Sequence, residues 1–203
     1  MKLVSRVTGI LIIVLMIPLQ IAAQEAETLF SGGVDHGGYG SLVFGITSVN
    51  GQAAYLRGTR GAWVIRFRDG QAIHLGLAGY RTASDFESAG RSLSGHQDPE
   101  MRTSYGGFEV EYVNRSFKLV HFGAQTLVGS GNVKFQKETD HGKRSDDYFV
   151  IQPGANVHLN VTSWFRLSGG IFYRYAANVN LEGTSDSDLS GLSAMIGLRF
   201  GKF

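Results

Sequence analysis

The chain has 203 residues, enough for one domain with a substantial core. It contains 28 glycines, roughly twice the usual share of about 7%, and no cysteine, so disulfides and thiolate metal sites are excluded. The formal charge of +2 includes Lys2 and Arg6. Without them 17 basic residues face 17 acidic ones, and nothing calls for nucleic acid as a partner.

Residues 1–23 read as a cleavable secretory signal. Lys2 and Arg6 form the basic end, Gly9 to Leu19 the apolar stretch, and Ile21-Ala22-Ala23 the small-residue end. Pro18 interrupts the apolar stretch, which falls short of the roughly 20 residues a membrane helix needs. Residues 24–37 are then expected to be a periplasmic N-terminal segment, and residues 38–203 the folded domain.

From residue 38 onward the hydrophobic period is two, and eight segments alternate apolar with polar side chains. Gly38–Val49 sets Leu42, Phe44 and Ile46 against Ser41 and Thr47. Ala54–Arg68 sets Trp63, Ile65 and Phe67 against Arg60, Arg66 and Arg68, and Gln71–Tyr80 sets Ile73, Leu75 and Leu77 against His74. Ser104–Asn114 opposes Phe108, Val110 and Tyr112 to Glu109 and Glu111; Phe117–Gly129 opposes Val120, Phe122 and Val128 to His121 and Gln125. Asp147–Val161 divides Phe149, Ile151, Val157 and Leu159 from Gln152, Asn156, His158 and Asn160. Ser163–Ala176 divides Phe165, Leu167, Ile171, Tyr173 and Tyr175 from Arg166, Ser168 and Arg174. Leu189–Phe203 divides Leu192, Ile196, Leu198 and Phe200 from Ser193 and Arg199.

The connections between these segments are sorted by length. Asp69-Gly70, Asn114–Ser116 and Thr162-Ser163 are tight, whereas 81–103, 130–146 and 177–188 are long, polar and charged. Asn50-Gly51, a type I′ hairpin signal, is the one short turn on the long-loop side. An even strand count with short turns on one side and long loops on the other predicts an all-β, eight-stranded antiparallel up-and-down transmembrane β-barrel. Aromatic residues are expected in two membrane-interface girdles. Tyr39, Phe67, Tyr112, Phe117, Trp164 and Phe200 fall near the short turns; Tyr105, Phe108, Tyr148, Phe149, Tyr173 and Tyr175 fall near the long loops.

The signal, the eight strands, the short turns and the terminal Arg199-Phe200-Gly201-Lys202-Phe203 resemble the small eight-stranded outer-membrane β-barrels of Gram-negative bacteria. Gly37-Gly38-Tyr39-Gly40 and Gly58-Thr59-Arg60-Gly61-Ala62-Trp63 are similar to a branch of that group. The resemblance implies a place in the outer membrane among its lipids and lipopolysaccharide, and insertion by the barrel-assembly machinery. It also implies extracellular loops at 81–103, 130–146 and 177–188, open to protein or glycan partners. One departure concerns Phe203, whose parity differs from that of Leu198 and Phe200. Either the last residues leave the strand register or Phe203 is a terminal recognition tag only.

No Gly-x-Ser-x-Gly elbow, His-Glu-x-x-His or phosphate loop occurs. No residue is assigned to catalysis, a cofactor or a metal. Of the six histidines, His74, His121 and His158 fall on polar strand faces, His36 precedes the strands, and His96 and His141 lie in long loops. Glu109 and Glu111 share a strand face and are expected to pair with arginines in a filled interior. The expected structural network in the short-turn half of the lumen is Arg66, Glu109, Glu111, His158, Arg166 and Arg199. The functional expectation is a barrel with a closed, polar lumen and a structural or recognition role in the envelope. Two alternatives are an envelope-lipid-modifying enzyme and a soluble periplasmic lipocalin-like binder whose apolar face lines a cavity.

Overall fold

Strict alternation of large apolar and polar residues cannot be satisfied by an open sheet in water, because one face would strand its apolar side chains. In the computed structural model the sheet closes on itself with the apolar face outward. The structure describes residues 34–82, 86–87, 100–135, 145–181 and 183–203. The signal segment, His96 and His141 lie outside the described residues, as do most of 83–99 and 136–144.

Eight strands form the barrel: β1 Val34–Val49, β2 Gln52–Phe67, β3 Ala72–Thr82, β4 Glu100–Asn114, β5 Val120–Phe135, β6 Ser145–Asn160, β7 Phe165–Ala177 and β8 Gly191–Lys202. A two-residue strand, Phe86–Glu87, adds to the upper end of β4, and one helical turn, α1 (Asp186–Leu189), precedes β8. Every strand pairs antiparallel with its chain neighbours, and β8 closes the ring on β1. Starting at His36, the register runs through Ile65, Ile73, Tyr112, Ala124, Ala155, Ile171 and Ala194. It returns to β1 at Ile46, ten residues above its start. This shear tilts the strands by about 40° and leaves an interior that side chains fill.

The exterior is apolar. Leu77 is 67% exposed, Phe122 64% and Ile196 60%, and the remaining outward positions of the mid-barrel are mostly Val, Ile, Leu and aromatic. That is the surface a bilayer solvates, and it overturns the lipocalin-like alternative, in which these side chains would line a cavity. Among the described residues no helix is long and apolar enough to cross a membrane; the strands do the crossing.

The strand ends differ from the sequence expectation where apolar signal fades but alternation continues. β1 begins at Val34, not Gly38, because Val34 to Gly37 pair with Phe67 to Val64 of β2. The β4–β5 hairpin extends to the pair Met101 and Phe135: Thr103 and Val133 face inward while Arg102 and Lys134 face outward, so the period of two outlasts the membrane-facing residues. Phe117 lies in the β4–β5 turn rather than in a strand.

Three members of the expected girdles turn inward. Tyr39, Tyr105 and Tyr148 are buried, since each shares parity with the inward residues of its strand: Ser41, Glu109 and Gln152 respectively. The outward aromatics remain near both ends. At the short-turn end Trp164, Phe165 and Phe200 stack together, with Phe165 and Phe200 ring centres 5.0 Å apart. At the other end Tyr173 and Tyr175 pack at 4.5 Å. The Asn50-Gly51 hairpin has the positive φ values (50° and 71°) that a type I′ turn requires.

Candidate functional site: the filled lumen

Inward side chains divide the lumen into two layers. In the short-turn half the layer is polar and centres on Glu111, which lies on β4 and is fully buried. Arg199 reaches it from β8, four strands away and so on the opposite wall, donating from both terminal nitrogens at 2.7 and 3.0 Å. His74 Nδ1 sits 2.7 Å from Glu111 Oε2, and His158 Nε2 3.2 Å from Oε1. Asn156 donates to the same Oε1 at 2.9 Å, and Tyr39 to Oε2 at 3.4 Å. A carboxylate taken out of water requires such a shell. Its lone pairs are filled by donors from β1, β3, β6 and β8 at once.

The polar layer continues upward through Gln125. Asn156 and Arg60 both donate to the Gln125 carbonyl oxygen, at 2.7 and 2.9 Å, and the Gln125 amide donates to Glu109 at 3.0 Å. Glu109 pairs with Arg60 Nε at 3.1 Å, and Arg60 also donates to the Tyr80 hydroxyl at 2.8 Å. Both glutamates are therefore matched one-to-one with an arginine: Glu111 with Arg199, Glu109 with Arg60.

The expected network is only partly assembled. Glu111, Arg199 and His158 come together, while Glu109 pairs with Arg60, which sequence reading placed on the inward face but not in the network. Arg166 reaches neither glutamate. It donates to the Ser116 carbonyl at 3.0 Å and lies 4.0 Å over the ring of Phe203. Arg66 also reaches neither glutamate; its Nε is buried without a hydrogen-bond partner. Phe203 is buried and inward, stacked on Tyr39 at 5.5 Å, so it keeps β8 parity and fills the short-turn mouth. Sequence reading missed the contributions of His74, Asn156, Gln125 and Tyr39. Their shared inward parity was the available signal; their convergence on one carboxylate depends on the shear.

In the long-loop half the interior is mixed, with an apolar cluster set beside buried Thr47, Thr103, Gln152, Arg174 and Ser193. Leu56, Leu127, Val150, Phe172 and Met195 are buried there, joined by Leu181 and Leu189 from the β7–β8 connection. The apolar residues on the inward face of the upper strands need a cover, and α1 supplies it. Fully buried Arg174 ties the cover down, donating to the Leu189 carbonyl at 2.6 Å and the Ser48 carbonyl at 3.0 Å, with its guanidinium 5.1 Å from the Tyr105 ring. Asn50 N–H donates to the Asp188 carbonyl at 2.6 Å, joining the β1–β2 hairpin to the same lid.

His74 and His158 address Glu111, and among the described residues no serine or threonine hydroxyl is bonded to either ring. Among the described residues no three His, Asp or Glu side chains are grouped as metal ligands.

No protein-family model and no curated protein matches this chain. Solved structures do. The attachment invasion locus protein Ail of Yersinia pestis, solved with the heparin analogue sucrose octasulfate, shares 16% identity at a TM-score of 0.53, covering 83% of this chain and 98% of Ail. Neisserial surface protein A shares 15% identity at a TM-score of 0.55, covering 84% of this chain and 99% of its own. At such identity the likeness is one of fold. The fold is the eight-stranded antiparallel barrel that these small outer-membrane proteins share.

Proposed function

We propose that the chain is exported through a signal cleaved after Ala23, leaving residues 24–33 periplasmic ahead of β1, and that the barrel spans the outer membrane as a closed structural and recognition module. The short turns lie in the periplasm, and the connections 81–103, 130–146 and 177–188 lie outside the cell. Insertion is the work of the barrel-assembly machinery, and lipids and lipopolysaccharide surround the exterior. The observation that carries this reading is the stacking of two side-chain layers, one centred on Glu111 and one on Phe172, in a barrel with an apolar exterior. A barrel filled this way has no room for bulk transport, and among the described residues neither His74 nor His158 pairs with the hydroxyl that a lipid-modifying enzyme would use.

The recognition role rests on the loops. Their mixed charge, with Arg91, Lys137, Lys143 and Arg144 among Asp98, Glu138 and Asp140, suits charged protein or glycan surfaces. The heparin analogue on Ail supports a polyanionic glycan as one such partner. Fractionation tests the location: the protein should require detergent and band with the outer membrane. Recovery in the soluble periplasmic fraction overturns the reading. Lipid mass spectrometry of a deletion strain should show unchanged envelope lipids, and a loss of one modified species would instead favour the enzyme.

A further inference from the structure

The apolar exterior is broken at one place. Arg57 on β2 and Arg81 on β3 are directly opposed in the register, and both point outward. Arg57 is embedded among lipid-facing residues: its register partner on β1 is Phe44, 51% exposed, and the next outward residue toward the long-loop end is Tyr55, 70% exposed. Like charges directly opposed across a strand pair repel, and a guanidinium facing hydrocarbon is costly. No acidic side chain among the described residues pairs with Arg57 or Arg81. A second outward pair, Arg102 and Lys134, is opposed across β4 and β5 nearer the strand ends.

Between and beneath these cations the exterior is carved away. Gly79, Ser104, Gly106 and Ser130 replace the large side chains found elsewhere at this level, opening a lateral groove of about 750 Å³ lined on its β1 side by Leu42 and Phe44. A smaller groove of about 440 Å³ carries it on to Arg102 and Lys134. Among the described lining residues the carboxylate is Asp147, which accepts a hydrogen bond from Asn132 at 2.6 Å on the far side from Arg57.

We propose that this groove binds a bisphosphorylated, multiply acylated glycolipid of the outer leaflet. One phosphate bridges Arg57 and Arg81, the second meets Arg102 and Lys134, the sugar lies along the small residues, and acyl chains run down over Leu42 and Phe44. Charge complementarity commits the site to this occupant. Two cation pairs match two phosphates, planar guanidinium forks suit phosphate oxygens, and the anion converts an opposed Arg pair from repulsive to bridged. The proposal rests on the outer-membrane reading given above.

Native mass spectrometry of the folded full-length protein in detergent tests it, with three probes: bisphosphorylated lipid A, its monophosphorylated form, and phosphatidylglycerol. One bisphosphorylated lipid should be retained per barrel, roughly tenfold more tightly than either other probe, and Arg57→Gln/Arg81→Gln should lose about that factor. Arg68→Gln/Arg115→Gln, at the short turns, should bind like the parent. Equal binding by the groove variant, or phosphatidylglycerol bound as tightly, overturns the proposal. Heat-modified gel migration checks that each variant folds; if the double variant does not, Arg81→Gln alone is read by the same criterion. Absence of the parent from the outer-membrane fraction counts against its location. Presence there with no phosphate-dependent binding counts against this site alone.

Discussion

Glu111 and Arg199 face each other across the full width of the barrel, and their two hydrogen bonds, at 2.7 and 3.0 Å, tie β4 to β8 through the interior. The sheet alone joins those strands only by way of three others on either side. The pair therefore fixes the cross-section, which ladder hydrogen bonds around the circumference do not.

Glu111→Ala leaves Arg199 buried without its counter-ion and also removes the carboxylate that His74 and Asn156 bond and that His158 faces at 3.2 Å. The expected cost is about 3–5 kcal/mol. Heat-modified gel migration should show unfolding at a clearly lower temperature than the parent, with Glu87→Ala, in the two-residue strand at the upper end of β4, as control. Replacing both partners, as Glu111→Gln/Arg199→Met, should recover much of the loss, because no uncompensated charge remains. Unfolding of Glu111→Ala at the parent temperature contradicts a structural role.

Phe172→Ala opens a cavity in the interior, where the ring lies over Gly154 and Gly170 and belongs to the buried apolar cluster that includes Leu181 and Leu189. About 3–5 kcal/mol should be lost. Denaturant unfolding of the refolded protein in detergent, followed by tryptophan fluorescence, measures it. A midpoint equal to the parent's would mean that the upper layer does not pack as described.

Purified protein in planar bilayers should give no reproducible large conductance steps. Glu111→Ala should be equally silent, since it unblocks only the lower layer and leaves Leu127, Val150 and Phe172 in place above it. Steady open-channel currents from the parent contradict a filled lumen.

An epitope inserted at Gly95 should be labelled on intact cells, because 83–99 joins the ends of β3 and β4 that lie opposite the short turns. A second epitope at Asp69, in the β2–β3 turn, should be labelled only after permeabilisation. The reverse pattern inverts the proposed orientation.

Much of this architecture is legible in the chain because a period of two carries face information residue by residue. Every inward charged residue named from Glu109 to Arg199 faces inward, since alternation needs no knowledge of neighbours. Three things were less legible. Tyr39, Tyr105 and Tyr148 were read by distance from the turns, although parity decides which face a ring takes. The apolar cluster of the upper lumen was hidden because Val43, Leu127 and Val150 sit on the inward face yet look like any other strand residues; the lid formed by α1 covers them. Finally, which arginine meets which glutamate depends on shear. A ten-residue climb per circuit puts Arg60 level with Glu109 and leaves Arg66 below both acids, and no local pattern encodes that climb.

The closed register also governs which length changes the gene can tolerate. One residue inserted into β1 between Leu42 and Phe44 would exchange lipid-facing and lumen-facing side chains over the rest of the strand, and a sealed ring has no free edge to absorb the slip. Two residues would preserve the faces but raise the shear, widening the ring and pulling Arg199 away from Glu111. Insertions and deletions within the wall should therefore survive rarely and in even numbers. Those between Thr82 and Glu100 should be free of both constraints, so lineages of this protein would diverge in length there first.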